Sequence, residues 1–120
     1  LLANVNSLFL NISSCYNLTD KPDSALYYVN KGIAFSKQVE NLTSEANGLN
    51  IRAAIYSRRD LKKEALIDLE TALQIRKKIG DLHYIISDMG QLAHYYAYVK
   101  QADKGIAISF QFIEFSKKSY

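Results

Sequence analysis

The segment 42–79, LTSEANGLNIRAAIYSRRDLKKEALIDLETALQIRKKI, holds two amphipathic helical patterns separated by a short charged turn. Apolar residues recur every three or four positions in each half, which is the spacing of one face of an α-helix. They are Leu42, Ala46, Leu49, Ala53 and Tyr56 in the first half, and Leu61, Ala65, Leu66, Leu69, Ala72, Leu73 and Ile79 in the second. The segment therefore predicts a helix, a tight turn and a second helix.

This pattern repeats outward in both directions with a period of forty residues. Aromatic, small and charged residues each return at this spacing, and random coincidence of all three kinds is improbable. The matched sets are Tyr16, Tyr56 and Tyr96; Ser13, Ala53 and Ala93; Ala25, Ala65 and Gly105; and Lys37, Lys77 and Lys117. We therefore expect one domain over 1–120, built of units near 1–40, 41–80 and 81–120 that stack on one another.

Six helices follow from the pattern, near 1–17, 22–39, 42–58, 62–79, 82–98 and 102–118. Asp20 and Asp60 stand where an N-cap carboxylate would accept a backbone N–H, and Pro22 fits the first helical turn. Gly80 is expected to end the fourth helix, with Asn41 and Asp81 capping the third and fifth.

Composition agrees with one compact helical domain. The chain has 120 residues, 48% of them hydrophobic and 22% charged, and only one Pro and five Gly. So few turn residues cannot serve the many short strands of an all-β fold. The single Cys15 cannot close an internal disulfide, and its column, shared with Ile55 and Tyr95, predicts a partly buried packing residue.

The net charge of +3 comes entirely from the middle unit, which has eight basic and five acidic residues, while the outer units are balanced. Its densest part is Arg58, Arg59, Lys62 and Lys63. This strip could face a phosphate or an acidic partner, although a turn between helices is also where solvated charges commonly lie.

Motifs for catalysis or metal binding are missing from the sequence. His83 and His94 lie about 16 Å apart along one helix and cannot share a metal ion. The sequence has no zinc-ligand pair, metalloprotease motif or phosphate-binding loop. We expect no enzymatic activity, no metal and no cofactor in this chain.

At this point the residues resemble the tetratricopeptide repeat, with its pattern W-x2-L-G-x2-Y followed by A-x3-F. The matching stretches are Phe9-x2-Ile12-Ser13-x2-Tyr16, Leu49-x2-Arg52-Ala53-x2-Tyr56, Met89-x2-Leu92-Ala93-x2-Tyr96, Ala25-x3-Val29 and Ala65-x3-Leu69. The resemblance implies an all-α fold, a short right-handed superhelical α-solenoid of antiparallel helix-turn-helix repeats. Two departures are Arg52 in a normally apolar column and the polar Ser109 late in the third unit.

The forty-residue period resembles the long-repeat variants of bacterial signalling proteins, and the stretch 72–81, ALQIRKKIGD, resembles the unit ending of the sensor kinase group. What this implies is a fragment of a longer bacterial protein, the amino-terminal sensory region of a two-component sensor histidine kinase or a transcription regulator. The array would then stand outside the membrane ahead of a spanning helix, or else in the cytoplasm.

The resemblance further implies that the first helix of each unit lines a concave groove that binds a protein or peptide segment. The corresponding positions are Asn11, Ser14, Asn47, Asn50, Ala54, Arg58, Ser87, Gln91, His94 and Tyr98. They are polar, nearly uncharged and partly aromatic, as an extended peptide would require. The same residues could also be only the hydrophilic faces of amphipathic helices.

Several alternatives stay open. The positive charges of the chaperone-binding repeat proteins are absent, since Leu10, Ser14, Ile51, Ser87 and Gln91 occupy the matching positions. The chain could self-associate, could serve as a scaffold that assembles a complex, or could bind nucleic acid through the strip 58–63. Neither a small-molecule ligand nor membrane contact is expected.

Overall fold

The computed structural model describes residues 2–118, with side chains from residue 5 onward, and contains six α-helices in this part of the chain. They are α1 (Leu2–Leu18), α2 (Pro22–Gln38), α3 (Leu42–Arg58), α4 (Lys62–Ile79), α5 (Leu82–Tyr98) and α6 (Ala102–Lys117). The predicted helices are confirmed with described ends within one residue, while residue 1 lies outside the described residues. We call the helix pairs α1–α2, α3–α4 and α5–α6 units 1, 2 and 3.

A left-handed residue ends each of the first five helices. The positive φ angles recur every twenty residues, at Asp20, Glu40, Asp60, Gly80 and Lys100. After α1, α3 and α5 the next N–H, that of Lys21, Leu61 or Gln101, donates to the carbonyl of Tyr16, Tyr56 or Tyr96 at 2.9 Å. This bond belongs to the Schellman motif, which satisfies a carbonyl left over at a helix end.

The N-cap role predicted for Asp20 and Asp60 is therefore wrong. Both residues close the preceding helix with φ near +60°. The residues that precede α2 and α4 are Lys21 and Leu61, and neither makes a side-chain cap. Because the short Asp side chain tolerates the left-handed region, it serves at a helix end as well as at a helix start.

The remaining end signals are confirmed. Asn41 Oδ1 accepts from the N–H of Ser44 at 3.0 Å, and Asp81 Oδ1 accepts from that of His83 at 3.1 Å. Gly80 ends α4 at φ +84°, a conformation that favours glycine. Pro22 begins α2, where its missing N–H costs nothing.

Small residues hold the two helices of a unit together. Ser13, Ala25, Ala53 and Ala65 are almost completely buried, and the Ser13 hydroxyl donates to the carbonyl of Ala25 at 2.6 Å. Two apolar clusters form the core, one around Leu10, Val29 and Ile55 and the other around Leu73, Met89 and Leu92. The predicted packing columns thus carry the stack.

The two junctions between units differ at one position of the period, Gly48 in α3 and Asp88 in α5. A Cβ on Gly48 would lie 2.6 Å from Cγ1 of Ile33, so α3 can seat on α2 only because this side chain is absent. Backbones of α1 and α3 also come into contact, whereas α3 and α5 make no such contact within the described part of the chain. The second junction is wider at this face.

Cys15 is exposed, so the partly buried position predicted for it is wrong. Ile55, forty residues later, is completely buried in the core cluster that unit 1 helps to form. Cys15 belongs to the first unit, and no preceding unit covers it within the described residues.

Candidate groove on the inner helices

The inner face of the stack is formed by the first helices of the units, α1, α3 and α5. Contact between α1 and α3, with none between α2 and α4 in the described range, bends the stack toward this face. The ten predicted groove residues therefore share the face that the resemblance implies, but they differ in exposure.

Seven of the ten side chains are exposed: Asn11, Ala54, Arg58, Ser87, Gln91, His94 and Tyr98. Ser14, Asn47 and Asn50 are half-buried. Four of the exposed residues lie on α5 at positions 87, 91, 94 and 98, a spacing that places them on one helix face. The structure thus concentrates the accessible candidates on unit 3.

Asn47 and Asn50 belong to a polar cluster that joins α3, α4 and α5. Arg76 Nε donates to Asp88 Oδ2 at 3.0 Å, and Arg76 Nη2 donates to Asn47 Oδ1 at 2.7 Å. Asn50 Nδ2 donates to Asp88 over 3.4 and 3.5 Å, and Asn50 Oδ1 is buried without a partner. We call Asn47, Asn50, Arg76 and Asp88 the junction cluster.

The sequence analysis missed Arg76 and Asp88, although a signal was present. Their columns hold Ser36 and Gly48 one period earlier, so two charged residues of opposite sign enter columns of small residues together. Both are more than nine-tenths buried. The ring of Tyr84 covers the guanidinium of Arg76 at 4.7 Å, a cation–π contact at the edge of the groove.

A second ion pair explains Arg52 in its normally apolar column. Its Nε and Nη2 donate to Asp68 at 2.7 and 2.8 Å, and its Nη1 donates to Asn30 Oδ1 at 2.9 Å. The hydrogen bond from Asp68 raises the pKa of Arg52 against the opposing effect of burial. Arg52 thereby links α3 to both α2 and α4.

The basic strip 58–63 is largely engaged within the chain. Arg58 donates to the carbonyl of Asn17, and Arg59 pairs with Asp23 at 3.1 Å. Lys62 lies 3.6 Å from Asp60 and 5.0 Å from the Tyr98 ring. These contacts tie unit 2 to its neighbours and leave little of the strip free to meet a phosphate.

Within residues 2–118, no group of three or more His, Cys, Asp or Glu side chains is placed to hold a metal ion. Over the same range, no helix is both long enough and apolar enough to cross a lipid bilayer.

No family model and no curated protein matches this sequence. Solved structures do match in fold. BtubC (BKLC) from P. vanneervenii superposes with a TM-score of 0.87 over 96% of this chain and 48% of its own, at 16% identity. The TPR domain of Arabidopsis FLU gives 0.82 over 98% and 99%, at 15% identity. The N-terminal domain of C. elegans stress-induced protein-1 gives 0.76 over 98% and 93%, at 14% identity.

These similarities establish the fold: the chain is a tetratricopeptide-type α-solenoid, as the sequence pattern predicted. The chain spans about half the length of BtubC and nearly all of the FLU domain. At these identities the comparison concerns architecture alone, and function has to be argued from the site.

Proposed function

We propose that this chain is a non-catalytic interaction module that binds a protein or peptide segment along the inner face of unit 3. The observation that carries the proposal is the exposed row Ser87, Gln91, His94 and Tyr98 on α5 beside the wide junction with α3. We call this row the α5 row. It contains no carboxylate, Lys or Arg, which favours an uncharged segment over an acidic one.

The chemistry of the α5 row suits an extended peptide. The Gln91 amide can donate to and accept from a peptide backbone, while the His94 and Tyr98 rings can cover an apolar side chain. The Tyr98 ring is 54% exposed and is held between Tyr95, at 5.6 Å between centroids, and Lys62. A ring fixed in this way loses little entropy when a ligand covers it.

Room for the ligand comes from the second junction. Asp88 and its partner Arg76 occupy space that Gly48 leaves to close helix contact at the first junction. Across the resulting gap α3 presents the small, exposed Ala54. A peptide backbone lying between Ala54 and the α5 row would meet few bulky side chains.

Peptides selected from a random display library with this chain as bait, followed by calorimetry, would test the groove. We expect Gln91→Ala/His94→Ala/Tyr98→Ala to weaken binding of the selected peptides about tenfold or more, since interface rings dominate binding energy. The matched control is Thr71→Ala/Gln74→Ala, two exposed residues of α4 outside the inner face. Equal affinities for the wild type and the triple variant would overturn the groove proposal. Asn50 is left unchanged because it contacts Asp88.

We further propose that binding here is the sensory input of a longer signalling protein, a sensor histidine kinase or a transcription regulator. The resemblance of the stretch 72–81 to sensor kinase repeats supports this assignment. The sequence of the full-length gene product tests it. A membrane span followed by a kinase, or a DNA-binding region, would support sensing; a product with neither would favour a scaffold that assembles a complex.

A further inference from the structure

The two ends of the stack expose apolar faces of matched kind. Ile106, Phe110 and Ile113 of α6 are 57, 66 and 47% exposed, and we call them the C-terminal face. At the other end, Leu8 and Ile12 of α1 are 59 and 38% exposed. With Cys15 and Tyr16, which border the same hollow, they form the N-terminal face.

Both faces are continuous with interfaces inside the stack. Leu66 and Leu73, forty residues before Ile106 and Ile113, are 8 and 2% exposed and lie in the core cluster that includes α5 residues. Ile55, forty residues after Cys15, is fully buried. The end positions are therefore those that a stacked neighbour covers, and the geometry of the neighbour is that of α5 on α4.

The residues that would meet if α1 of a second copy lay on α6 can be found by shifting the second junction along the period. That junction has three polar contacts: the Tyr96 hydroxyl donates to Glu70, Lys62 covers the Tyr98 ring, and Arg76 pairs with Asp88. The shifted pairs are Phe110 with Tyr16, Ala102 with Leu18, and Ser116 with Leu8.

Every charged member of those three pairs has been replaced on both sides at once. Glu70, Lys62 and Arg76 become Phe110, Ala102 and Ser116 on α6, while Asp88 becomes Leu8 on α1. Leu18, the most exposed large apolar side chain at 81%, would lie over the methyl group of Ala102. No ion would have to be desolvated at these six positions, so contact between the faces buries apolar surface at low cost.

We propose that the C-terminal face of one copy binds the N-terminal face of a second copy, with α1 seated on α6 as α5 is seated on α4. The contact is heterologous, because each face meets a different face of its partner. Each added copy therefore leaves one face of each kind open, and association gives chains of increasing length rather than a closed dimer. The association uses the ends of the stack and not the α5 row, so it stands or falls separately from peptide binding.

Sedimentation velocity of the 120-residue chain in reductant, over about 10 μM to 1 mM, tests the proposal. We expect the mass average to rise with concentration past that of a dimer. Phe110→Glu or Leu8→Glu should weaken association about tenfold or more, because each places an unpaired carboxylate in the contact. Both sites are more than half exposed in one copy, so the fold tolerates the change, which circular dichroism verifies. Ile67→Glu, at a 60% exposed site on α4 outside both faces, is the matched control and should associate like the wild type.

Mixing the two variants separates head-to-tail contact from other geometries. Phe110→Glu copies keep an intact N-terminal face, and Leu8→Glu copies keep an intact C-terminal face. The mixture should form a one-to-one dimer that neither variant forms alone. A wild type that stays monomeric throughout, or a Leu8→Glu variant that still dimerises by itself, would overturn the proposal.

Discussion

Arg76 and Asp88 form a buried ion pair, 3.0 Å from Nε to Oδ2, that joins α4 to α5 where the preceding junction has Ser36 and Gly48. At the first junction Ser36 bonds its own helix, through its hydroxyl to the carbonyl of Gly32 at 2.8 Å, and α3 packs closely. At the second junction two charged side chains hold the helices farther apart. One repeat fold thus supplies both a tight joint and a wide one.

Removing one partner of this ion pair should destabilise the chain strongly. Arg76→Met leaves Asp88 buried without its guanidinium, and we expect a loss of about 3–5 kcal/mol in the free energy of unfolding. Arg76→Met/Asp88→Leu should cost less than Arg76→Met alone, since no charge is then stranded. Chemical denaturation of the wild type, both single variants and the double variant measures the coupling. A double variant whose loss equals the sum of the single losses would contradict the pairing.

Gly48→Ala should lower stability although alanine is the better helix former. The new methyl group would collide with buried Ile33, and overpacking of this kind costs about 1–3 kcal/mol. Gly105→Ala is the matched control, because its Cβ would lie 3.4 Å from Tyr96 Cβ, an ordinary contact. There we expect a gain of about 0.5–1 kcal/mol from helix propensity. Thermal unfolding of both variants decides; a gain at both sites would contradict the close approach at the first junction.

Tyr96 should make the chain lose stability in alkali. Burial of its side chain, with the hydrogen bond to Glu70, raises its pKa well above the ordinary value. The protonated form is therefore the one favoured by folding. Its contribution is complete below the unfolded pKa of about 10 and is lost as the pH rises toward the folded pKa.

Tyr96→Phe isolates this effect. At neutral pH the variant should lose about 1–3 kcal/mol with the bond to Glu70. Above about pH 10 the difference from the wild type should shrink, because only the wild type has this group to ionise. Denaturation at several pH values measures the difference, and Tyr27→Phe, at a 56% exposed ring, is the control. A difference that stays constant into strong alkali would sink the argument.

Ala65→Leu should cost about 1–3 kcal/mol, since Ala65 is completely buried between the helices of unit 2. Lys63→Ala, two residues earlier and exposed, should change stability by no more than about 0.5 kcal/mol. Melting temperatures of the two variants make the comparison, and equal shifts would contradict the packing scheme.

Helix number, helix ends and the small-residue columns could be predicted from the sequence because they follow from local spacing. Asn41, Gly80 and Asp81 act within one turn of their own position, so their roles could be assigned without a fold. Asp20 and Asp60 were misassigned because a short Asp suits both ends of a helix. The sequence does not say which of the two adjacent helices uses it.

The candidate site depended far more on tertiary contacts. Asn50 and His94 look equivalent as polar residues of first helices, yet Asn50 faces the buried Asp88 and His94 is exposed. Cys15 and Ile55 share a column, but only Ile55 has a neighbouring unit to cover it. Position in the stack, which no residue of the column encodes, decides burial in these cases.

By itself the sequence determined three helical hairpins with a period of forty, because helical spacing and close packing are written in every unit. Only the tertiary structure decided that Arg76 meets Asp88, that unit 3 presents the accessible row, and that both ends remain apolar. Those outcomes depend on which side chains from separate helices come within a few ångströms of one another, and the separation of residues along the chain does not fix that distance.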